Sequence, residues 1–152
     1  MSILEYLNEQ GVDFTVKHHD EFYTAQEEAA AQHVPGQIFA KTVVVKADDD
    51  FVMLVLPACC RVDMDCMEQL LGTDVRLASE PELAGIFADC PLGAEPPFGS
   101  RYGLRTFVDN QLANQETIAI RACSHTEVVL LKYADYARLE RPQVACFGAL
   151  EP

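Results

Sequence analysis

Two valine-rich runs, Phe39–Ala47 and Phe51–Ala58, flank three consecutive aspartates, Asp48-Asp49-Asp50. Valine and aromatic residues favour strands, and a polar turn between two such runs marks a β-hairpin. No other segment constrains the fold as strongly, because it commits the middle of the chain to sheet. In the first run the period of two puts Phe39, Lys41, Val43 and Val45 on one face. Lys41 is the one charge on that otherwise apolar face. Desolvation there would favour the neutral amine, a potential base, and an ammonium there would be a close cation for an anionic or carbonyl group. The alternative is a lysine at a strand entry that snorkels to water. Lys46, beside the turn, reads as a solvated hairpin end.

Helical and strand signals alternate around the hairpin. Ser2 caps a short helix carrying Ile3, Leu4 and Leu7, with Gly11 as its stop. Val12–Lys17 reads as a strand. Thr24-Ala-Gln-Glu27 is a capping box that opens a helix over Ala25–His33, closed by Pro35-Gly36. Helical spacing recurs over Val62–Leu71, ended by Gly72. Asp74–Ala78 is a short strand. Ser79-Glu-Pro-Glu82 is a second capping box, opening a helix to about Phe87. Strands follow at Leu104–Asp109, Glu116–Cys123 and Thr126–Lys132. A last helix covers Tyr133–Glu140, and Pro142 prevents its extension. Asp109-Asn110 reads as a turn. Interspersed helices and strands with a hairpin predict an α+β fold, a mixed sheet with helices around it, in one domain spanning 1–152.

Charge narrows the function. There are 24 acidic residues against 11 basic ones, a net charge of -13. Extended binding to a nucleic-acid backbone runs on Lys and Arg, so DNA and wide tRNA contact are not expected. A small basic site reading the end of a nucleic acid is compatible with this balance. The chain has no run of about 18 apolar residues and no secretion signal at Met1-Ser2-Ile3-Leu4-Glu5, so the expectation is a cytoplasmic protein without membrane contact. The six cysteines form no C-x-x-C pair. Most lie in apolar stretches as small hydrophobes, and neither a disulfide framework nor a structural metal is expected. His18, His19 and His33 show no metal spacing. Arg61, Arg101, Arg105 and Arg121 are dispersed. No phosphate loop or dinucleotide fingerprint occurs, and no cofactor is expected.

Gly93-Ala-Glu-Pro-Pro-Phe-Gly99 stands out in the long irregular segment Asp89–Gly103. Two prolines stiffen its middle and remove two donors, and a glycine frees each end. Rigid exposed backbone of this kind suits the gripping of a small polar ligand, while the simpler reading is a structural turn. Ser124-His125 is a polar turn that either donates to a ligand or combines a serine cap with an exposed histidine. Neighbours in extended chain point to opposite sides, so the pair does not read as nucleophile and base.

In order, Thr24-Ala-Gln-Glu27, Phe39-Ala-Lys-Thr-Val-Val-Val-Lys46, Leu56-Pro-Ala58, Arg76-Leu-Ala-Ser-Glu80, Gly93-Ala-Glu-Pro-Pro-Phe-Gly99, Phe107-Val-Asp109 and Ala122-Cys-Ser-His125 resemble the YbaK/ProX family. Its members are free-standing relatives of the editing insertion domain of bacterial prolyl-tRNA synthetase. The resemblance spans roughly Ser2 to Pro142. It implies an α+β fold on a mixed, barrel-like sheet. It also implies hydrolysis of the ester joining a wrong, small amino acid to tRNA, at the acceptor end and with a synthetase as a further partner. It implies that Lys41 is the hallmark functional residue. Gly93, Pro96, Pro97, Phe98 and Gly99 would border the substrate pocket, with Ser124 and His125 lining it. Backbone N–H groups of Gly93 and Gly99 would meet the ester carbonyl. The family's usual glycine before Ser-His is Cys123 here, whose side chain would crowd a close approach. A non-catalytic binding module of the same fold is the competing class, and a hydrolase of another small ester or thioester is a third.

Overall fold

A computed structural model describes residues 2–18 and 35–151. The capping box at Thr24–Glu27, the helix expected over Ala25–His33, and His19 and His33 lie outside the described residues. Helix α1 (Ile3–Glu9) starts where the Ser2 side chain accepts from the Glu5 N–H at 3.1 Å. Strand β1 (Phe14–His18) follows. The hairpin is β2 (Ala40–Ala47) and β3 (Asp50–Pro57), in unbroken antiparallel register from Ala40 opposite Pro57 to Ala47 opposite Asp50. Asp48 takes the left-handed conformation its turn requires, one of the few residues that does so cheaply,. After β4 (Cys60–Val62) comes helix α2 (Met64–Leu71), capped by Asp63 and stopped by left-handed Gly72. Strand β5 (Val75–Leu77) leads to α3 (Glu80–Ile86), whose capping box between Ser79 and Glu82 is complete.

A 3₁₀ turn (Gly99–Tyr102) precedes β6 (Arg105–Asp109) and the short helix α4 (Asn110–Ala113). Strands β7 (Thr117–Arg121) and β8 (Glu127–Lys132) and helix α5 (Tyr133–Glu140) come next. The tail carries β9 (Gln143–Ala145) and β10 (Gly148–Leu150).

The sheets are mixed. One has the order β5-β2-β3-β6-β9, a second β1-β8-β7, and β10 pairs with β4. β3 runs parallel to β6 and β6 parallel to β9, while the other ladders are antiparallel. A parallel bridge between Phe39 and Ala119 joins the first two sheets at one corner. The expected mixed sheet with flanking helices is present, and among the described residues its strands do not close into a barrel.

The main core lies between the two larger sheets. Val44, Met53, Val55 and Val108 face Ile118, Ile120, Val129 and Leu131 across it, with Leu7, Phe87, Phe98 and Tyr136 filling in. The opposite face of β2 and β3 packs Val45, Val52, Leu54 and Leu56 under Met67 of α2 and Phe147 of the tail. A third cluster holds Phe39, Ala58, Ala119 and Val128 where the sheets meet.

Asp109, read from sequence as part of a turn, is fully buried and ties the tail down. Its Oδ1 accepts from the N–H groups of Phe147 (2.9 Å) and Gly148 (2.7 Å). Its Oδ2 accepts from the N–H (3.2 Å) and side-chain amide (3.0 Å) of Gln111. A Cβ on Gly148 would lie 2.9 Å from the Asp109 carboxyl carbon, so only glycine permits this approach. Asp109→Ala leaves four donors short of their acceptor and is expected to cost about 2–4 kcal/mol in urea unfolding. Asp109→Asn, which keeps one acceptor oxygen, should fall between it and the parent.

Glu82 supplies a second test. The Arg76 guanidinium grips its carboxylate at 2.8 and 2.9 Å, and the Ser79 N–H adds a bond at 2.8 Å. These bonds hold the Glu82 carboxyl far below the usual range. A carboxyl depressed by folding contributes stability above its unfolded pKa of about 4.3, and loses it as pH falls through the lower folded value. Glu82→Gln should therefore flatten the acid side of a stability-versus-pH curve below about pH 4 and leave its neutral side nearly level.

Candidate active site

Residues 94–99 are buried, contrary to the expected exposed loop. Two prolines and no sheet partner leave this backbone with polar groups that must be satisfied by other means. The strand end after β7 does so for three successive carbonyls. The Leu92 oxygen accepts from His125 Nε2 at 2.8 Å, so that nitrogen carries the ring proton,. The Gly93 oxygen accepts from the Arg121 guanidinium. The Ala94 oxygen accepts from the Cys123 N–H at 3.0 Å. Further on, the Tyr136 hydroxyl donates to the Pro97 oxygen at 2.7 Å, and burial raises that hydroxyl's pKa well above its usual value.

Gly93 has a positive φ of 87°, the turn for which glycine suits it,. Its N–H donates to the Glu95 carboxylate at 3.0 Å, a bond that occupies the donor expected to meet an ester carbonyl. At the other end, a Cβ on Gly99 would lie 2.3 Å from Thr106 Oγ1 and 3.1 Å from the Leu104 oxygen. Thr106 in turn donates to the buried Glu140 at 2.7 Å. The Ser100 N–H (3.0 Å) and hydroxyl (2.7 Å) donate to the same carboxylate. Phe98 sits edge-on to Tyr136, with ring centroids 5.3 Å apart.

Ser124 and His125 bond to different partners. The Ser124 hydroxyl accepts from the Thr126 N–H at 3.0 Å in a local turn. His125 is buried against the loop rather than exposed.

Lys41 stands opposite Leu56 in the hairpin, on the face of Val43 and Val45. Phe98 belongs to the core on the other face, with Val44 and Met53. Lys41 and the Phe98–Gly99 end of the loop are therefore not brought together. Phe39 and Ala119 bridge in parallel and share a buried cluster, which links the strand that carries Lys41 to the strand that carries Arg121. Arg121 is the residue that holds the Gly93 carbonyl.

Lys41 is about a quarter exposed, and its Nζ lies 4.0 Å from Glu151 Oε1. Nearby, burial pushes the Cys60 thiol up to about 11, with Cys59 and Asp109 adding to the rise and Lys41 opposing it. Lys46, expected at a solvated end, is half-buried over the Phe51 ring at 5.5 Å.

Arg121 was legible only as one of several dispersed arginines. Its signal was a charge two places from Ala119 on the second face of a strand whose first face is apolar. The cysteine expectation fails at one pair. Cys90 and Cys123 form a disulfide across 33 residues, which scattered spacing could not reveal. Cys59, Cys60, Cys66 and Cys146 are free. Cys123, at φ 63°, adopts the left-handed conformation in which glycine costs least,.

Comparison with known proteins gives a consistent result. Residues 19–139 match the model of the aminoacyl-tRNA editing domain. The multifunctional Ser/Thr-tRNA deacylase ProXp-y of Escherichia coli K12 is 26% identical over 153 aligned positions, covering 95% of this chain and 90% of that protein. Among solved structures, a protein described as hypothetical superposes with a TM-score of 0.87 at 20% identity, over 97% of this chain and 99% of its own. A candidate trans-editing enzyme for prolyl tRNA synthetase superposes with a TM-score of 0.82 at 18% identity, over 96% of this chain and 92% of its own.

The Gly99 contact yields a direct test. Gly99→Ala must displace Thr106 from Glu140 and is expected to lower the melting temperature by about 6–12 °C, as overpacking of about 3 kcal/mol would. Gly85→Ala, in α3 with nothing within 4 Å of the added Cβ, is the control and should leave it level or slightly higher,.

Proposed function

The chain belongs to the aminoacyl-tRNA editing domain family, and from that membership we propose that it acts in trans as a deacylase of mischarged tRNA, the whole chain serving as one editing domain. The observation that carries the reading is the match of residues 19–139 to that family, and the buried loop whose Gly93 carbonyl Arg121 holds supports it.

An aminoacyl ester is already activated. Its hydrolysis needs positioning and charge stabilisation more than a strong nucleophile. Lys41 is the proposed catalytic residue, holding the terminal phosphate or ribose or stabilising the oxyanion as the tetrahedral centre forms. The attacker is water, directly or assisted by the neighbouring ribose hydroxyl. Arg121 and His125 act on the loop, keeping the Leu92 and Gly93 carbonyls turned inward. Pro96, Pro97 and Phe98 supply rigidity behind that wall, Gly93 and Gly99 its two bends, and Ser124 the turn beside it.

A net charge of -13 favours contact with only the terminal nucleotides,. Choice of the whole tRNA then falls to a partner such as a synthetase, in the cytoplasm. Among the described residues no helix is long and apolar enough to cross a membrane. The relative from Escherichia coli is named for Ser/Thr-tRNA, which makes tRNAs wrongly carrying serine or threonine the first substrates to test, with alanine next. A second pocket of this kind is useful because one methylene gives a first binding site only about 1–3 kcal/mol of discrimination.

Lys41→Ala is expected to abolish amino-acid release from mischarged tRNA in a filter-binding assay. The melting temperature should move by no more than about 2–4 °C, since a long, partly exposed ion pair contributes about 1 kcal/mol or less,. Undiminished release by the variant would remove Lys41 from the mechanism. Binding of a non-hydrolysable aminoacyl-adenosine without turnover by the parent would mark a binding module instead.

A further inference from the structure

The Cys90–Cys123 disulfide joins the segment that opens the loop to the turn that holds it. Cys123 contributes twice to that turn: its N–H donates to the Ala94 oxygen, and its backbone is left-handed at φ 63°. A non-glycine residue is strained there, and a covalent tie to a neighbouring segment opposes its relaxation. Both cysteines are half-buried rather than enclosed. The Tyr102 hydroxyl lies 3.5 Å from Cys90 Sγ and 3.8 Å from Cys123 Sγ. It donates to the Asp89 carboxylate at 3.1 Å. Asp89, Arg101, Tyr102 and Cys123 line a pocket of about 280 Å³ through which a small thiol can reach the bond.

We propose that Cys90 and Cys123 are a reversible thiol–disulfide modification site that controls how firmly the turn at residues 121–125 is held against the carbonyls of residues 92–94, the disulfide form being the competent one. This rests on the reading of that wall as part of the deacylase site. The co-reactant is a dithiol. One of its thiolates attacks one sulfur of the pair and displaces the other, giving a mixed disulfide. Its second thiolate then displaces the remaining protein sulfur. The dithiol loses two electrons and ends as its own disulfide. Cys90 and Cys123 gain those electrons and one proton each.

The test uses the full chain, oxidised with trans-4,5-dihydroxy-1,2-dithiane or reduced with dithiothreitol, with alkylation and peptide mass mapping to read both cysteines. On reduction, deacylation of mischarged seryl-tRNA should fall at least threefold, and the Cys123 amide should exchange with solvent at least tenfold faster. Cys90→Ser should behave as the reduced parent in both buffers. Cys123→Gly, which needs no tie at this φ, should respond to neither buffer. Complete alkylation of both cysteines after oxidation would overturn the proposal, as would equal turnover and equal exchange in the two forms. If no form deacylates any mischarged tRNA but the exchange difference persists, the deacylase reading falls and the thiol pair stands as a control of the turn.

Discussion

A buried stretch of chain with no sheet partner must find acceptors and donors one by one, and the segment 92–99, buried from Ala94 onward, is such a stretch,. Its two prolines cannot donate, so its carbonyls carry the burden. Three of them are met by Arg121, Cys123 and His125, and a fourth by Tyr136. These partners come from the end of β7 and from α5, which are held by the main core through Ile118, Ile120 and Tyr136. The loop is therefore as rigid as the sheet behind it.

Two buried carboxylates extend the same principle to the rest of the chain. Glu140 accepts from Ser100 and Thr106, fixing the exit of the loop to the end of α5. Asp109 accepts from the tail at Phe147 and Gly148 and from Gln111. Each carboxylate joins elements distant in sequence through backbone N–H groups or short hydroxyls, which makes the geometry specific. The tail held by Asp109 brings Glu151 to the Lys41 ammonium, its N–H bonded to the Cys59 oxygen at 3.0 Å. A buried acid at one edge of the sheet thus bears on the setting of the candidate catalytic lysine.

What could be read in the sequence was what repeats locally. The hairpin, the capping box at Ser79 and the apolar face interrupted by Lys41 all rest on periods of two or on contacts three residues apart. Strands β4, β9 and β10 and helix α4 are three or four residues long, too short to show a period. Burial of Glu140, Asp109, Arg121 and His125 depends on partners about 30 to 40 residues away, as does the Cys90–Cys123 bond. No spacing rule along the chain encodes these. The loop was singled out correctly as a special segment, but its burial was not legible, because glycine and proline announce backbone shape and say nothing about what covers it.

The placement of Lys41 away from Phe98 sharpens what the loop can do. With the Gly93 N–H bonded to Glu95, and Phe98 and Gly99 packed into the opposite face, the loop's own donors are mostly committed to structure. Charge stabilisation beside the loop then has to come from side chains rather than from this backbone. The Arg121 guanidinium is anchored on the Gly93 carbonyl, while the Lys41 ammonium faces Glu151 at 4.0 Å. In a protein carrying -13 overall, such a site attracts an anionic substrate at short range only,. That balance suits the proposed reading, in which the domain meets the end of a tRNA and leaves its body to another protein.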